Sequence, residues 1–113
     1  MQLELAKYFY GIQHAASALA DFVEERTWAD YERDHMLRSA TERQFEIIGE
    51  ALAQLAKRDP SLAAQITDYR QIIAFRNVLI HGYADVDDHL VWDMARSRLP
   101  TLLQQVDGIL ASK

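Results

Sequence analysis

The feature that most constrains this chain is an apolar residue at every third or fourth position, repeated along almost its whole length. The first run extends over residues 5–23 with the i, i+3, i+4, i+7 spacing of one helical face. Three further runs begin near Leu37, Ile66 and Val91. No segment sustains the alternation that is typical of a β-strand. The sequence therefore predicts an all-α protein.

The expected helices are separated by residues that stop or start a helix. Pro60 predicts an end near Arg58, because the residue before a proline is displaced from the α region. Thr27 is suited to cap the start of a helix, and Pro100 either kinks the last helix or occupies the first turn of a new one. Four to five helices with short connections predict an elongated antiparallel bundle. The apolar flanks of such a bundle favour self-association as a dimer.

Composition limits the classes of function that such a bundle can serve. The 113 residues suit a single domain over 1–113, and the absence of cysteine excludes disulfides, thiolate metal sites and a cysteine nucleophile. Twelve basic against 17 acidic residues give a net charge of −5, which leaves room only for a local nucleic-acid-binding patch. No apolar run has the length of a membrane span, and no basic leader follows Met1. We therefore expect a cytoplasmic protein.

One residue interrupts the apolar stripe of the third expected helix. Arg76 stands between Ile73 and Ile80, where the helical period calls for an apolar side chain. An arginine there must reach solvent or find an anion, and Glu50, near the apolar face of its own helix, is a candidate partner. From Arg76 to Tyr83 the segment RNVLIHGY also supplies an amide, an imidazole and a phenol. These groups suit the binding of a phosphate and the movement of a proton.

Two structural interpretations of this segment remain open. His81 and Gly82 are typical of an ordinary helix end, and Asn77 is spaced to hydrogen-bond with His81 on the surface. A divalent metal is the other alternative, with ligands drawn from His81, Asp85, Asp87, Asp88 and His89. Capping of the next helix explains these acids without a metal. We therefore expect no metal and no other cofactor.

Helix geometry adds a condition on Arg76 and His81. At 100° per residue their side chains are separated by about 140° around the helix axis. Two groups so far apart do not converge on one phosphate while the segment stays helical. Either the helix unwinds before His81, or a second chain completes the site.

The motif and its surroundings resemble one family. The spacing R-x-x-x-x-H-x-Y formed by Arg76, His81 and Tyr83 is identified as that of HepT-like ribonuclease toxins, within the HEPN superfamily. Residues 47–51 (IIGEA) are similar to the second-helix signature of that family. Gly82 stands where the family often has a glutamate, and we expect it to loosen the local backbone. The resemblance covers nearly the whole chain.

The resemblance implies a helical homodimer whose two motifs face each other in a cleft and cleave RNA without a metal. We expect Arg76 and His81 to be catalytic, with Asn77 and Glu50 in supporting positions. The resemblance also implies a toxin–antitoxin module, in which a nucleotidyltransferase-type antitoxin transfers AMP to Tyr83. The alternative class is a non-catalytic helical subunit that binds a nucleotidyltransferase, which the acidic charge balance favours.

Overall fold

Seven α-helices follow one another in the computed structural model, which describes residues 1–112 with the exception of the side chain of Tyr83. Their bounds are α1 Leu3–Val23, α2 Trp28–Arg33, α3 His35–Arg58, α4 Pro60–Ala63, α5 Tyr69–His81, α6 Asp88–Ser97 and α7 Leu99–Ala111. A 3-10 turn at Tyr83–Asp85 connects α5 to α6. The described residues include no strand, so the prediction of an all-α protein is confirmed.

Five of these helices have ten or more residues and correspond to the expected bundle. The two additional helices, α2 and α4, have six and four residues, which is too short for an apolar period to reveal them. The molecule measures 42 × 29 × 19 Å, in keeping with the length of about 36 Å that 24 residues give α3. None of the described helices has the length and apolar composition needed to cross a bilayer.

Most helix boundaries fall where the sequence predicts them. Thr27 and Asp30 form a capping box at the start of α2, in which each side chain accepts a hydrogen bond from the other's backbone N–H. Helix α3 ends at Arg58, before the proline. Pro100 lies in the first turn of α7, so the chain starts a new helix there instead of bending an old one.

The start of α5 differs from its apolar run. The run begins at Ile66, but the helix begins at Tyr69. Asp68 precedes it with a φ of 59°, in the left-handed region, which interrupts the right-handed helical path. Ile66 is nevertheless buried, so this position is apolar because it lies in the core and not because it belongs to the helix.

The core fills the space between the long helices. Helix α1 packs against α3 and α7, and α3 packs against α5 on its other side. The buried side chains include Phe9, Ile12, Leu19, Ile48, Leu52, Leu55, Ile72, Phe75, Leu79, Val91 and Val106. Helix α3 is therefore central, and it supplies the surface against which α5 places the RNVLIHGY segment.

Candidate functional site

Helix α5 places Arg76 against α3. The side chain is 17% exposed, and its Nη1 donates a hydrogen bond to Oε2 of Glu50 over 2.7 Å. The Nε of the same guanidinium is buried and has no hydrogen-bond partner among the described residues. Arg76 is thus held on one side by a carboxylate, while part of its donor capacity is not used by the residues that the structure describes.

A glycine sets the distance between the two helices at this point. A Cβ atom on Gly49 would lie 2.3 Å from the Cβ of Arg76 and 2.7 Å from its Cγ. Since real Cβ atoms do not approach so closely, only glycine permits this packing. Gly49 therefore determines how Arg76 leaves α5. Gly49 lies within the IIGEA segment, but the sequence alone gives it no role, because its function depends on contact with Arg76, 27 residues further along.

Glu50 is also linked along its own helix. Its Oε1 accepts a hydrogen bond from Nε2 of Gln54 over 3.0 Å, and the amide oxygen of Gln54 accepts one from Arg58. Both carboxylate oxygens of Glu50 therefore have a partner. This chain of contacts fixes Glu50 in position to orient Arg76, although the carboxylate itself is half exposed.

His81 lies at the exposed end of α5, and Asn77 lies one turn before it on the same side. The helical hydrogen bonds continue past His81, because the N–H of Gly82 donates to the carbonyl of Val78 over 2.8 Å. Unwinding before His81 is therefore excluded. Among the residues that the structure describes, neither the His81 ring nor the Asn77 amide makes a hydrogen bond, so no bond joins them.

The backbone after His81 departs from an ordinary glycine cap. Gly82 has a φ of −113°, which any residue adopts, so it does not take the left-handed conformation for which glycine is favoured at helix ends. A Cβ there would lie 3.1 Å from the Val78 carbonyl oxygen, a tight but adjustable contact. The expected modification site, the side chain of Tyr83, lies outside the described residues.

The acids after the motif serve the next helix. Asp87 caps α6 by accepting hydrogen bonds from the backbone N–H groups of His89 and Leu90, and Asp88 lies in the first turn. The ring of His89 stacks on Trp28, with 3.6 Å between ring centroids. Over residues 1–112, no three histidine or carboxylate side chains come together as a metal site.

A second set of titratable groups lies where α2, α3 and α6 meet. Burial raises the pKa of the Glu42 carboxyl, and the nearby carboxylates of Asp88 and Glu46 add to this effect. Burial also raises the pKa of Tyr31, whose fully buried hydroxyl has no hydrogen-bond partner in the described part of the chain. A hydroxyl so enclosed is out of reach of a large substrate, and we assign this cluster to packing.

A cavity of about 340 Å³ opens beside the Arg76–Glu50 pair. Its lining comes from three helices: Tyr8 of α1, Ile80 of α5, and Arg43, Glu46, Ile47, Glu50, Ala51 and Gln54 of α3. A larger cavity of about 670 Å³ lies between α1 and α3, around His14. No described residue of the RNVLIHGY segment lines that larger cavity, whereas Ile80 of this segment and Glu50, the partner of Arg76, line the smaller one, which is therefore next to the motif.

Fold and site together define an all-α protein that presents a half-anchored arginine and an exposed histidine on one helix of a bundle. These are groups that bind a phosphate and transfer a proton. The model of a family described as "Ribonuclease HepT-like" matches residues 12–109. The chain therefore belongs to the HepT-like ribonuclease family, and the resemblance seen in the sequence is confirmed.

Relatives from three organisms agree with this membership. A protein of Thermococcus cleftensis named "Probable ribonuclease HepT" is 30% identical over 95 residues, which cover 84% of this chain and 86% of the relative. A protein of Caldanaerobacter subterraneus named as a candidate RNase is 30% identical over 103 residues, 91% of each chain. Another, from Methanocaldococcus jannaschii, is 25% identical over 92% of this chain and 94% of its own length. No solved structure matches this chain.

Proposed function

We propose that this protein is a metal-independent endoribonuclease toxin, neutralised by a nucleotidyltransferase antitoxin and acting in the cytoplasm as a single HEPN-like domain over 1–113. The observation that carries this proposal is that one helix of a HepT-like chain holds a guanidinium bonded to Glu50 and an exposed imidazole that has no hydrogen bond to any described residue. Arg76 supplies a fixed positive charge, and His81 supplies an imidazole whose ring nitrogens can accept and donate a proton.

The active unit is a homodimer in this proposal. Because α5 stays helical through His81, the side chains of Arg76 and His81 in one chain diverge by about 140°. A second copy that places its own motif opposite the first supplies the missing group across a cleft. The exposed side chains of Val78 and Ile80, on the same end of α5, add apolar surface for such a contact.

The reaction needs only the substrate's own 2′-hydroxyl as nucleophile. His81 of one chain takes the proton of that hydroxyl, and the 2′-oxygen attacks the adjacent phosphorus. The bond to the 5′-oxygen breaks, and this leaving oxygen takes a proton from His81 of the other chain. Arg76 stabilises the charge that develops on the phosphate, and the Asn77 amide supports it by donating a hydrogen bond to the same group. The products are a 2′,3′-cyclic phosphate and a 5′-hydroxyl.

Cleavage of cellular RNA in the presence of EDTA tests this function. We expect the unmodified protein to cleave, and His81→Ala and Arg76→Ala each to lose about 10²- to 10⁴-fold in rate, the usual contribution of a general base or a phosphate contact. Full activity of His81→Ala contradicts the mechanism. Absence of cleavage by the wild type, together with a stable complex with the nucleotidyltransferase, supports the binding-subunit alternative that the net charge of −5 favours.

We propose Tyr83 as the point of control. AMP attached to its hydroxyl adds about one negative charge and a bulky nucleoside two residues after His81, where both oppose the binding of RNA phosphate. Co-expression with the antitoxin should increase the mass of the protein by about 329 Da per AMP and abolish cleavage. Tyr83→Phe should show neither change. A Tyr83→Phe protein that is modified and silenced like the wild type rules out this residue as the switch.

A further inference from the structure

The cavity beside the Arg76–Glu50 pair has an aromatic wall with cations around it. The Tyr8 ring lines this cavity of about 340 Å³. The Nζ of Lys7 lies 5.1 Å from the ring centroid, and the Cζ of Arg58 lies 5.4 Å from it. A charged groove with an aromatic side chain is the arrangement by which proteins bind unpaired nucleotides, since every base has a face that stacks.

The cavity is joined to the motif by a line of hydrogen bonds across the outer surface of α3. Arg76 donates to Glu50, Glu50 accepts from Gln54, and Gln54 accepts from Arg58. Arg58 uses only Nη1 in these contacts and so retains donors that can meet a phosphate. Glu50 and Arg58 are eight residues apart, about 12 Å along the helix. An extended strand with one phosphate at Arg76 therefore reaches Arg58 within a few nucleotides.

The local charge differs from that of the whole chain. The chain carries −5 overall. The charged side chains that line the cavity are Arg43, Glu46 and Glu50, of which Arg43 pairs with Glu46 and Glu50 pairs with Arg76. The two further cations beside the Tyr8 ring, Lys7 and Arg58, give this face an excess of positive charge. The face beside the motif is thus cationic on an acidic protein, as a local RNA-binding patch requires.

We propose that this cavity is a subsite for one unpaired nucleotide of RNA, in which a flanking phosphate draws Arg58 away from the Tyr8 ring and the base takes its place against that ring. The inference rests on the proposed ribonuclease function and specifies its substrate as single-stranded next to the scissile bond. Duplex RNA does not fit this subsite, because paired bases are not free to enter a pocket and stack on a side chain.

Fluorescence anisotropy with a labelled 2′-O-methyl RNA hexamer tests the subsite without cleavage, because this probe has no 2′-hydroxyl. We expect Tyr8→Leu to weaken binding by about 5- to 100-fold, the range measured for removal of one stacking aromatic, and Tyr8→Phe to bind like the wild type. Arg58→Gln should weaken binding and reduce the slope of log Kd against log salt by about 0.7, as expected for one lost phosphate contact on a single strand.

A second arginine–tyrosine pair on the same chain provides the matched control. The Cζ of Arg70 lies 5.5 Å from the Tyr69 ring centroid, and both residues line a cavity of about 330 Å³ at the opposite end of α5 from His81. Tyr69→Leu and Arg70→Gln remove the same chemical groups in a similar setting. We expect each to change the Kd by less than about twofold, since neither pair member adjoins the motif.

The outcomes separate this inference from the proposed catalysis. If Tyr8→Leu and Arg58→Gln both bind the hexamer as tightly as the wild type does, and the wild type cleaves RNA, only the subsite is overturned. Equal losses in the Tyr69 and Arg70 variants overturn it as well, as does Tyr8-dependent binding of free AMP that leaves the hexamer unaffected. If the wild type cleaves no RNA but binds the hexamer, and Tyr8→Leu weakens that binding, the subsite is supported and the proposed catalysis is overturned. If Tyr8→Leu does not fold, the salt slope of Arg58→Gln decides.

Discussion

The polar side chains at the two ends of helix α5 differ in how many hydrogen bonds they make. At the N-terminal end, Arg98 bonds to Asp68 and, over 3.1 Å, to Gln71. Thr67 and Gln105 exchange two hydrogen bonds of 2.9 and 2.7 Å beside them. At the C-terminal end, the side chains of Asn77 and His81 make no hydrogen bond to any residue that the structure describes.

This contrast is clearest between the two arginines. Arg98 is 41% exposed, yet two side chains hold it and tie α7 to the start of α5. Arg76 is far less exposed at 17%, and its buried Nε has no partner among the described residues. A buried donor without a partner costs about 1–3 kcal/mol of stability. The N-terminal end therefore stabilises the fold, whereas the C-terminal end leaves polar groups without partners among the described residues, at some cost in stability.

The largest effect that we expect comes from mixing two inactive variants. In the proposed dimer, a chain with Arg76→Ala and a chain with His81→Ala together retain one intact Arg76 opposite one intact His81. Mixing should restore part of the lost cleavage, at least about tenfold above His81→Ala alone, because the mixed dimer again has one His81 to act as base with one Arg76. It should stay below the wild type, because the second His81 that protonates the leaving oxygen is missing. The measurement is the rate of RNA cleavage after subunit exchange. If mass measurements demonstrate that subunits have exchanged and cleavage still does not recover, the site is not shared between chains.

A smaller effect is expected at the glycine that sets the C-terminal packing. Gly49→Ala places a Cβ where Arg76 already lies, and we expect a loss of about 1–3 kcal/mol in the free energy of unfolding. Cleavage should fall as well, because Arg76 must move. Gly11→Ala is the matched control, since its Cβ meets nothing within 4 Å. Replacing this glycine within a helix by alanine should stabilise the protein by about 0.5–1 kcal/mol and leave cleavage unchanged.

The smallest effect should arise at the N-terminal end. Arg98→Ala removes a partly exposed ion pair and one further hydrogen bond, so we expect a loss of at most about 1 kcal/mol and a Tm lowered by a few degrees. Cleavage measured well below the Tm should not change. Thermal melts and cleavage rates at one temperature check this expectation. A loss of cleavage comparable to that of Arg76→Ala would remove the functional distinction between the two ends.

Much of the fold could be predicted because its signals are local. The apolar period, the proline after Asp59 and the cap at Thr27 act within one turn of the residues that they affect, and the structure bears them out. The start of α5 could not be predicted in this way. The left-handed conformation of Asp68 belongs to a segment tied to α7 by Arg98, and the apolar residue Ile66 before it is buried without being helical.

The sequence by itself marked the segment from Arg76 to Tyr83, because a charge in an apolar stripe and a histidine five residues later are visible without coordinates. Only the tertiary structure decided what surrounds that segment. It established the bond to Glu50, the need for Gly49 and a cavity that Tyr8 shares with two other helices. These features depend on the distance and rotation between packed helices. The pattern within any one helix does not contain that information.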